Sequence, residues 1–421
     1  MFPETTRNQL TIPKELQIKL LPSDTFTVNQ LLEFHLPVQR VSTVFTQPDQ
    51  YLSLGPISCF QFNAAEILTP PTSVIKTLSR AILTADKTDK IQSIQCPHAP
   101  AHSQEHYPLW LLTFWSEMAH IRLVRERWEQ AVQYLAKPDT ELWLQREQAE
   151  KICQEIRALP WNAQIEGFDD QGQLFQLHTY CSRNWLSSLH INHMIDLLKD
   201  DLGIFADDAS TSIQHTWHAQ QVLAAYYSGN ASYLTSKRCS VIREHAQDFV
   251  TGIQDTLGTV ANIDGNHWIA LMVDFRKRKV YYGNSLEGTI NKELRAAYDW
   301  WLSMHNENTF KWVQMEITRQ RDGYSCGLLA VNALAHALDP GQFNLMNSDA
   351  KAVDAECINI LCRVINRHKE KVRSQNNCDC LYVIDPHLRP FVRHPWILHS
   401  HFIVSLPATI LKLLKVLGDR L

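Results

Sequence analysis

Apolar residues recur with two different spacings along the chain, and each spacing predicts one type of element. Between residues 109 and 158 they return every three or four positions, which predicts helices that break at Pro138. Residues 174–180 alternate between apolar and polar side chains, as a half-buried strand does. Further helices are predicted over residues 187–202, 289–305, 327–338 and 348–373.

A β-hairpin is predicted over residues 268–283. Trp268–Phe275 forms an apolar run, the four basic residues 276–279 form a solvated turn, and the apolar pattern resumes at Val280. A third strand is predicted over residues 310–317. Gly323 breaks the chain between this strand and the next helix, so that helix is expected to begin near residue 326.

The first 165 residues differ from the rest of the chain in their proline content and in the pattern of predicted elements. Residues 1–108 are rich in proline, as in Thr69-Pro70-Pro71-Thr72, which predicts loops and short strands. Residues 410–417, close to the end of the sequence, predict a short amphipathic helix. We therefore predict three parts: an N-terminal accessory region over residues 1–165, a central domain over 166–372 and a C-terminal extension over 373–421.

Composition narrows the class of protein. With 421 residues, 45% apolar and 20% charged, the chain has the composition of an ordinary globular protein. A formal net charge of −4 gives no electrostatic basis for nucleic-acid binding. We expect no membrane-spanning segment and no secretory signal, since the apolar runs are short. Ten scattered cysteines favour reduced thiols and an intracellular location, in the nucleus or the cytoplasm.

Four residues with the chemistry of a thiol hydrolase follow one another in order. His267 opens the first strand of the predicted hairpin, and Asn284 closes the second. Gln320 stands six residues before Cys326, which is predicted to start a helix, where the macrodipole favours a thiolate. An imidazole base, an amide that orients it, an oxyanion donor and a nucleophilic thiol are the parts of a cysteine hydrolase.

This set resembles the motifs of the ubiquitin-like-protein protease family, which includes SUMO-deconjugating enzymes and the adenovirus protease. The resemblance covers about residues 165–372. It is found in four short segments: Trp185-Leu186, His267-Trp268, Asn284-Ser285-Leu286, and Gln320 with Cys326-Gly327. It implies an α+β, papain-like or adenain-like fold, in which a small mixed sheet packs on a central helix that starts at the catalytic cysteine. A mainly helical N-terminal accessory region would precede that domain.

The resemblance also implies an activity and a substrate. The protein would be a cysteine-type peptidase or isopeptidase that cleaves after the Gly-Gly tail of a ubiquitin-like modifier, in SUMO-type deconjugation or precursor processing. His267, Asn284, Gln320 and Cys326 would be its catalytic residues. The tail would lie extended in a narrow tunnel, with Trp185 and Trp268 as predicted substrate-binding walls or, alternatively, as core tryptophans.

Three departures from the family pattern keep other interpretations open. Asn284 stands where the family usually has an acid, Ser188 where it has an aspartate, and Ser325 where an aspartate is common. A neutral amide can fix the tautomer of His267 but cannot stabilise an imidazolium by charge. The alternatives are a catalytically weak or inactive module that binds a ubiquitin-like protein, and a mobile-element-encoded protease with a non-modifier substrate.

The sequence predicts neither a cofactor nor a metal site. Two groups have metal-binding side chains but no recognised zinc spacing: Cys96, His98, His102 and His106, and the pair Cys378 and Cys380. Two histidine pairs with helical spacing are predicted to lie on solvated faces: His190 with His193, and His215 with His218. Asp274 is excluded as the catalytic acid because it lies too far along the strand from His267.

Overall fold

The computed structural model describes residues 9–38, 47–84, 91–97, 105–137, 144–204 and 210–381. The helices among them are α1 (Lys14–Leu20), α2 (Val28–Glu33), α3 (Thr72–Thr84), α4 (Trp110–Leu135), α5 (Arg146–Arg157), α6 (Ser188–Asp201), α7 (Trp217–Ser228), α8 (Asn230–Thr235), α9 (Ser240–Val250), α10 (Lys292–Ser303), α11 (Cys326–Leu338) and α12 (Ala350–Leu381). The strands are β1 (Leu52–Ser53), β2 (Ser93–Gln95), β3 (His106–Tyr107), β4 (Thr211–Gln214), β5 (Thr256–Ile263), β6 (His267–Asp274), β7 (Lys279–Gly283) and β8 (Lys311–Gln314).

A five-stranded mixed sheet organises the central region, with its strands in the order β4-β5-β6-β7-β8. The outer pairs are parallel, and the two inner pairs, β5 with β6 and β6 with β7, are antiparallel. The predicted hairpin is thus confirmed as β6 and β7. Its register sets Gly283 opposite Ala270, so Asn284, the next residue, leaves the sheet at the end of β6 where His267 lies.

Helices cover both faces of this sheet, which explains the unbroken apolar run of β6. Trp268, Ala270 and Met272 face a core that includes α11, while Ile269, Leu271 and Val273 face a second core made by α7, α9 and α10. Every residue of β6 is buried. A strand enclosed on both faces is apolar at successive positions instead of alternating. This is the α+β arrangement of a small mixed sheet packed on a central helix.

The N-terminal region shares the first of these cores. Its long helix α4 packs on the 3-10 helix Leu174–Cys181, and the fully buried Trp128 belongs to the same apolar cluster as Ile195 and Leu334. Helix α4 therefore covers apolar surface of the central region. The division of the chain at residue 165 stays a prediction.

Two local predictions were wrong. Residues 174–180 form most of a 3-10 helix, and their buried side chains, Leu174, Leu177 and Tyr180, recur every third position instead of every second. Helix α3 follows directly on Pro70-Pro71, which was read as loop sequence. The carbonyl of Pro71 accepts from the backbone N–H groups of Val74 and Ile75. Proline is tolerated at the start of a helix because its missing N–H is not needed for a helical hydrogen bond there.

The remaining helix predictions are confirmed with small shifts at their ends. Helices α4 and α5 occupy the region predicted from 109 to 158, and α6, α10, α11 and α12 match the four later ranges. The amphipathic helix predicted over residues 410–417 lies outside the described residues. In the part of the chain that is described, no helix has both the length and the apolar character to cross a membrane.

Candidate active site

Cys326 is the first residue of α11, as predicted, and it is buried. The first turn of this helix can pack closely on its neighbours because the next residue is a glycine. A Cβ on Gly327 would lie 2.5 Å from Ile191 Cδ1 of α6 and 3.1 Å from Trp268 Cδ1 of β6. The absence of a side chain at Gly327 therefore lets the start of α11 pack on Trp268 of β6, the residue that follows His267.

The surroundings of Cys326 change the pKa of its thiol in both directions. Burial raises the pKa of the Cys326 thiol, and the negative charge of Asp322 raises it further. The backbone N–H groups of Trp268 and Gly327 lower the pKa, but only in part. That a helix N-terminus makes this residue a thiolate stays a prediction, and desolvation is the effect that opposes it.

The base end of the site has a complete set of hydrogen bonds. His267 Nε2 lies 2.9 Å from Asn284 Oδ1, which also accepts the backbone N–H of Leu286 at 3.0 Å. Asn284 Nδ2 donates to the carbonyl of Gly288 at 3.4 Å. Because these partners fix which way the amide faces, His267 must carry its proton on Nε2. Its Nδ1 is then the basic nitrogen that is free to accept a proton.

Gln320 links the end of β7 to the loop before the nucleophile. Its backbone N–H donates to the carbonyl of Ser285 at 2.8 Å, and the Ser285 hydroxyl donates to Gln320 Oε1 at 3.2 Å. Gln320 Nε2 donates to two oxygens of Asp322, the backbone carbonyl at 2.9 Å and Oδ1 at 3.1 Å. The amide nitrogen of the predicted oxyanion donor therefore already donates to Asp322.

Trp185 and Trp268 lie against each other. Their indole rings stack with centroids 5.2 Å apart and planes 14° from parallel, and Trp268 Nε1 donates to the carbonyl of Leu186 at 2.8 Å. Rings in contact leave no space for a peptide between them, so in this state they do not form two walls of an open tunnel. Trp268 is fully buried and Trp185 is half-buried. A substrate-binding role for the pair stays a prediction.

The four histidines predicted on solvated faces are buried, so that prediction was wrong. Helix α6 is enclosed from Leu189 to Leu198 and has no solvated face over that length. His190 is held by the Ser187 hydroxyl and the carbonyl of Gln176, and burial lowers its pKa to about 3. Histidine at helical spacing fits a protein core when each ring finds a hydrogen-bond partner.

One group among the described residues could in principle hold a metal ion: Asp169, Asp196 and His215. His215 Nε2 and Lys199 Nζ both donate to Asp196 Oδ1, at 2.6 and 3.2 Å. An ammonium group already neutralises the buried carboxylate, so the arrangement is an ion-pair network. His98 and His102, and the side chains of Cys378 and Cys380, lie outside the described residues.

Sequence reasoning missed Asp322 and an ion pair near it. Asp322 Oδ1 accepts the backbone N–H groups of Tyr324 at 2.9 Å and Ser325 at 2.8 Å, which fixes the turn that leads into Cys326. Arg183 binds Asp354 through two nitrogens, the shorter contact being 2.8 Å. The Asp-Gly pair ahead of the nucleophile was the one available signal, since aspartate before glycine is typical of such turns.

The central region is similar to one known family. Residues 184–360, less than half of the chain, match the family model of the Ulp1 protease family, C-terminal catalytic domain. This range contains all six residues predicted for the site. The match supports a cysteine peptidase domain in this part of the chain. No curated protein sequence matches the chain.

Several solved structures are similar to the chain at low identity. The C-terminal Ulp1 protease domain in complex with SMT3, the yeast ortholog of SUMO, is 15% identical, with 57% of this chain and 95% of that one covered and a TM-score of 0.38. The Ulp1-like SUMO protease catalytic domain of Chaetomium thermophilum is 18% identical, with coverage of 58% and 88% and a TM-score of 0.33. The Xanthomonas campestris effector protein XopD bound to ubiquitin is 20% identical, with coverage of 42% and 92% and a TM-score of 0.30.

Proposed function

We propose that the protein is an intracellular cysteine peptidase or isopeptidase that cleaves after the Gly-Gly tail of a ubiquitin-like modifier. The observation that carries this proposal is the oriented His267–Asn284 pair, together with a cysteine that starts a buried helix packed on Trp268, the residue after His267. The match of residues 184–360 to the Ulp1 family model supports the choice of substrate class.

The geometry suggests the following sequence of steps. His267 Nδ1 takes the proton of Cys326 as the sulfur attacks the carbonyl carbon of the terminal glycine. Gln320 Nε2 and the backbone N–H of Cys326 donate to the oxyanion that forms. The imidazolium then returns the proton to the leaving amine, and an acyl-enzyme remains. Water activated by the same imidazole hydrolyses that thioester and regenerates the thiol.

A panel of modifier probes with C-terminal electrophiles tests the proposal. It should include SUMO and ubiquitin, the modifiers named in two of the similar structures. We expect one or more probes to form an adduct that mass spectrometry maps to Cys326. Cys326→Ala should abolish the adduct, while Cys153→Ser, a half-buried thiol on α5, serves as the matched control and should react as the parent does. An adduct on another cysteine, with Cys326 untouched, would refute the assignment.

A binding module without turnover is the second candidate, and two observations favour it. The pKa of Cys326 is raised, chiefly by burial, and the group that orients His267 is a neutral amide. Such a module would bind a modifier with measurable affinity, yet form no adduct and release no product. If a small reagent alkylates Cys326 but no modifier probe binds or reacts, the result would instead point to a protease whose substrate is not a modifier.

A further inference from the structure

The turn before the nucleophile is built around a single carboxylate oxygen. Asp322 Oδ1 accepts three hydrogen bonds, from the backbone N–H groups of Tyr324 and Ser325 and from Gln320 Nε2, at 2.8 to 3.1 Å. The backbone carbonyl of Asp322 accepts a fourth, again from Gln320 Nε2 at 2.9 Å. One residue therefore fixes both the entry to α11 and the amide predicted to bind the oxyanion.

The contacts of Gln320 define the resting position of its amide. Both acceptors of Gln320 Nε2 are oxygens of Asp322. The other amide atom, Oε1, accepts from the hydroxyl of Ser285, which excludes a flipped amide. An oxyanion that binds Gln320 Nε2 therefore competes with Asp322 for its hydrogens. The donor is engaged with Asp322 until a stronger acceptor arrives.

We infer that Asp322 is a positioning residue, which holds the Gln320 amide in place beside Cys326 until the oxyanion of the substrate draws one of its hydrogens away. This inference rests on the proposed function, in which Gln320 is the oxyanion donor. The second carboxylate oxygen of Asp322, Oδ2, is buried and has no hydrogen-bond partner among the described residues, although Asp322 as a whole is half-buried. An unpaired buried oxygen adds no hydrogen bond to the fold, which favours a functional reason for the carboxylate.

The charge of Asp322 also acts on the nucleophile. The backbone N–H groups of Trp268 and Gly327 favour a thiolate at Cys326, and the charge of Asp322 opposes it. Burial is the largest cause of the raised pKa of Cys326, and Asp322 adds to it. Removing the negative charge while keeping the acceptor oxygen should therefore lower the pKa of the thiol and raise the fraction of thiolate at neutral pH.

Asp322→Asn separates charge from hydrogen bonding. The amide oxygen can still accept the three N–H groups, but the charge is gone. The rate at which iodoacetamide alkylates Cys326 should be followed against pH, with the modified peptide quantified by mass spectrometry. A pKa lower by one unit gives about ten times more thiolate, partly offset by its weaker nucleophilicity, so the rate at pH 7 should rise about threefold. An unchanged pH profile would overturn the electrostatic part of the inference.

Asp322→Ala removes the hydrogen bonds as well. Turnover of a reactive modifier substrate should fall about tenfold to a hundredfold through kcat, with KM little changed, while Asp322→Asn keeps most of it. In the double variant with Gln320→Ala, the two losses should not add, because both act through one donor. Losses that multiply, or an Asp322→Ala variant as active as the parent, would overturn the inference.

The two proposals can fail separately. Alkylation of Cys326 needs no modifier, so it reports on Asp322 even if no modifier probe reacts with the protein. Absence of any modifier adduct would refute the proposed function alone. If Asp322→Ala unfolds, two measurements on Asp322→Asn still test the inference: the pH dependence of Cys326 alkylation and the kcat of that variant. Asp322→Asn is suitable because it keeps the acceptor oxygen of the turn.

Discussion

The two ends of the candidate site differ in how completely their polar groups are satisfied. At the base end, His267 and Asn284 have partners that fix both the ring and the amide. In the turn before Cys326, three buried polar atoms have no hydrogen-bond partner among the described residues: Asp322 Oδ2, Tyr324 Oη and Ser325 Oγ. A negative charge and a buried thiol lie in that same turn.

This difference assigns a separate task to each end. The base end is preorganised, and substrate has nothing to rearrange there. At the nucleophile end, the Gln320 amide is engaged with Asp322, and burial raises the pKa of the Cys326 thiol. We expect substrate to complete the nucleophile end, by supplying the oxyanion that competes for Gln320 and by separating the stacked indoles of Trp185 and Trp268.

The largest effect is expected where the N-terminal region supports the nucleophile end. Tyr134 of α4 hydrogen-bonds Asp354, the partner of Arg183. A chain cut to residues 166–421 loses α4 and exposes the apolar surface it covers. We therefore expect it to aggregate or to melt far below the parent in thermal unfolding. A soluble truncation with the parent's Tm and Cys326 reactivity would show that residues 1–165 are an independent accessory module.

A point variant gives the same test within the full chain. Trp128→Ala, at a fully buried position of α4, should cost about 3–5 kcal/mol of folding free energy. The matched control is Leu123→Ala on the same helix, whose side chain is exposed, and it should change stability by less than about 0.5 kcal/mol. Equal melting temperatures for the two variants would contradict the packing described here.

The next largest effect is expected at the nucleophile end. Gln320→Ala should lower kcat about a hundredfold, the usual loss for one oxyanion donor, while the affinity for a non-hydrolysable modifier changes little. The exposed Gln314 of β8 gives the matched control, Gln314→Ala, which should behave as the parent. Affinity and turnover falling together would point to a structural role for Gln320.

A smaller effect is expected at the base end. Asn284→Ala leaves His267 free to adopt the wrong tautomer or orientation, so kcat should fall about tenfold or more. Asn308→Ala, in an exposed loop, serves as the control. If Asn284→Ala cleaves as well as the parent, Asn284 has no role in orienting the base.

The smallest effect is expected from adding a charge at the base end. In Asn284→Asp a carboxylate would face the His267 ring and stabilise an imidazolium, whose positive charge favours the Cys326 thiolate, so the thiolate should persist to lower pH. The new oxygen would face the carbonyl of Gly288, which accepts a hydrogen bond from Asn284 now, and that repulsion limits the gain. Activity should stay level or rise a few-fold. A large fall in the rate of Cys326 alkylation at lower pH would refute the role assigned to Asn284.

Local sequence patterns sufficed for much of the fold around the site. The strand that begins at His267 and the helix that begins at Cys326 were predictable, because apolar runs and a glycine break mark both starts. The hairpin placed Asn284 beside His267 for the same reason, since antiparallel neighbours return the chain to the same edge.

What the sequence could not provide depends on tertiary contacts. The raised pKa of Cys326 is caused chiefly by burial under neighbouring elements, which the sequence pattern of a helix start does not show. The stacking of Trp185 on Trp268 joins residues far apart in the chain. Asp322 shows its role only through the three groups that meet at one oxygen, and no spacing rule connects them.

The structure of an adduct with a modifier aldehyde tests the central claim most directly, because the hemithioacetal oxygen occupies the oxyanion position. We predict that the contact between His267 Nε2 and Asn284 Oδ1 stays near its present 2.9 Å. Gln320 Nε2 should leave one oxygen of Asp322 and donate to the adduct oxygen. An adduct in which Gln320 keeps both contacts with Asp322, while the base end moves, would contradict the account.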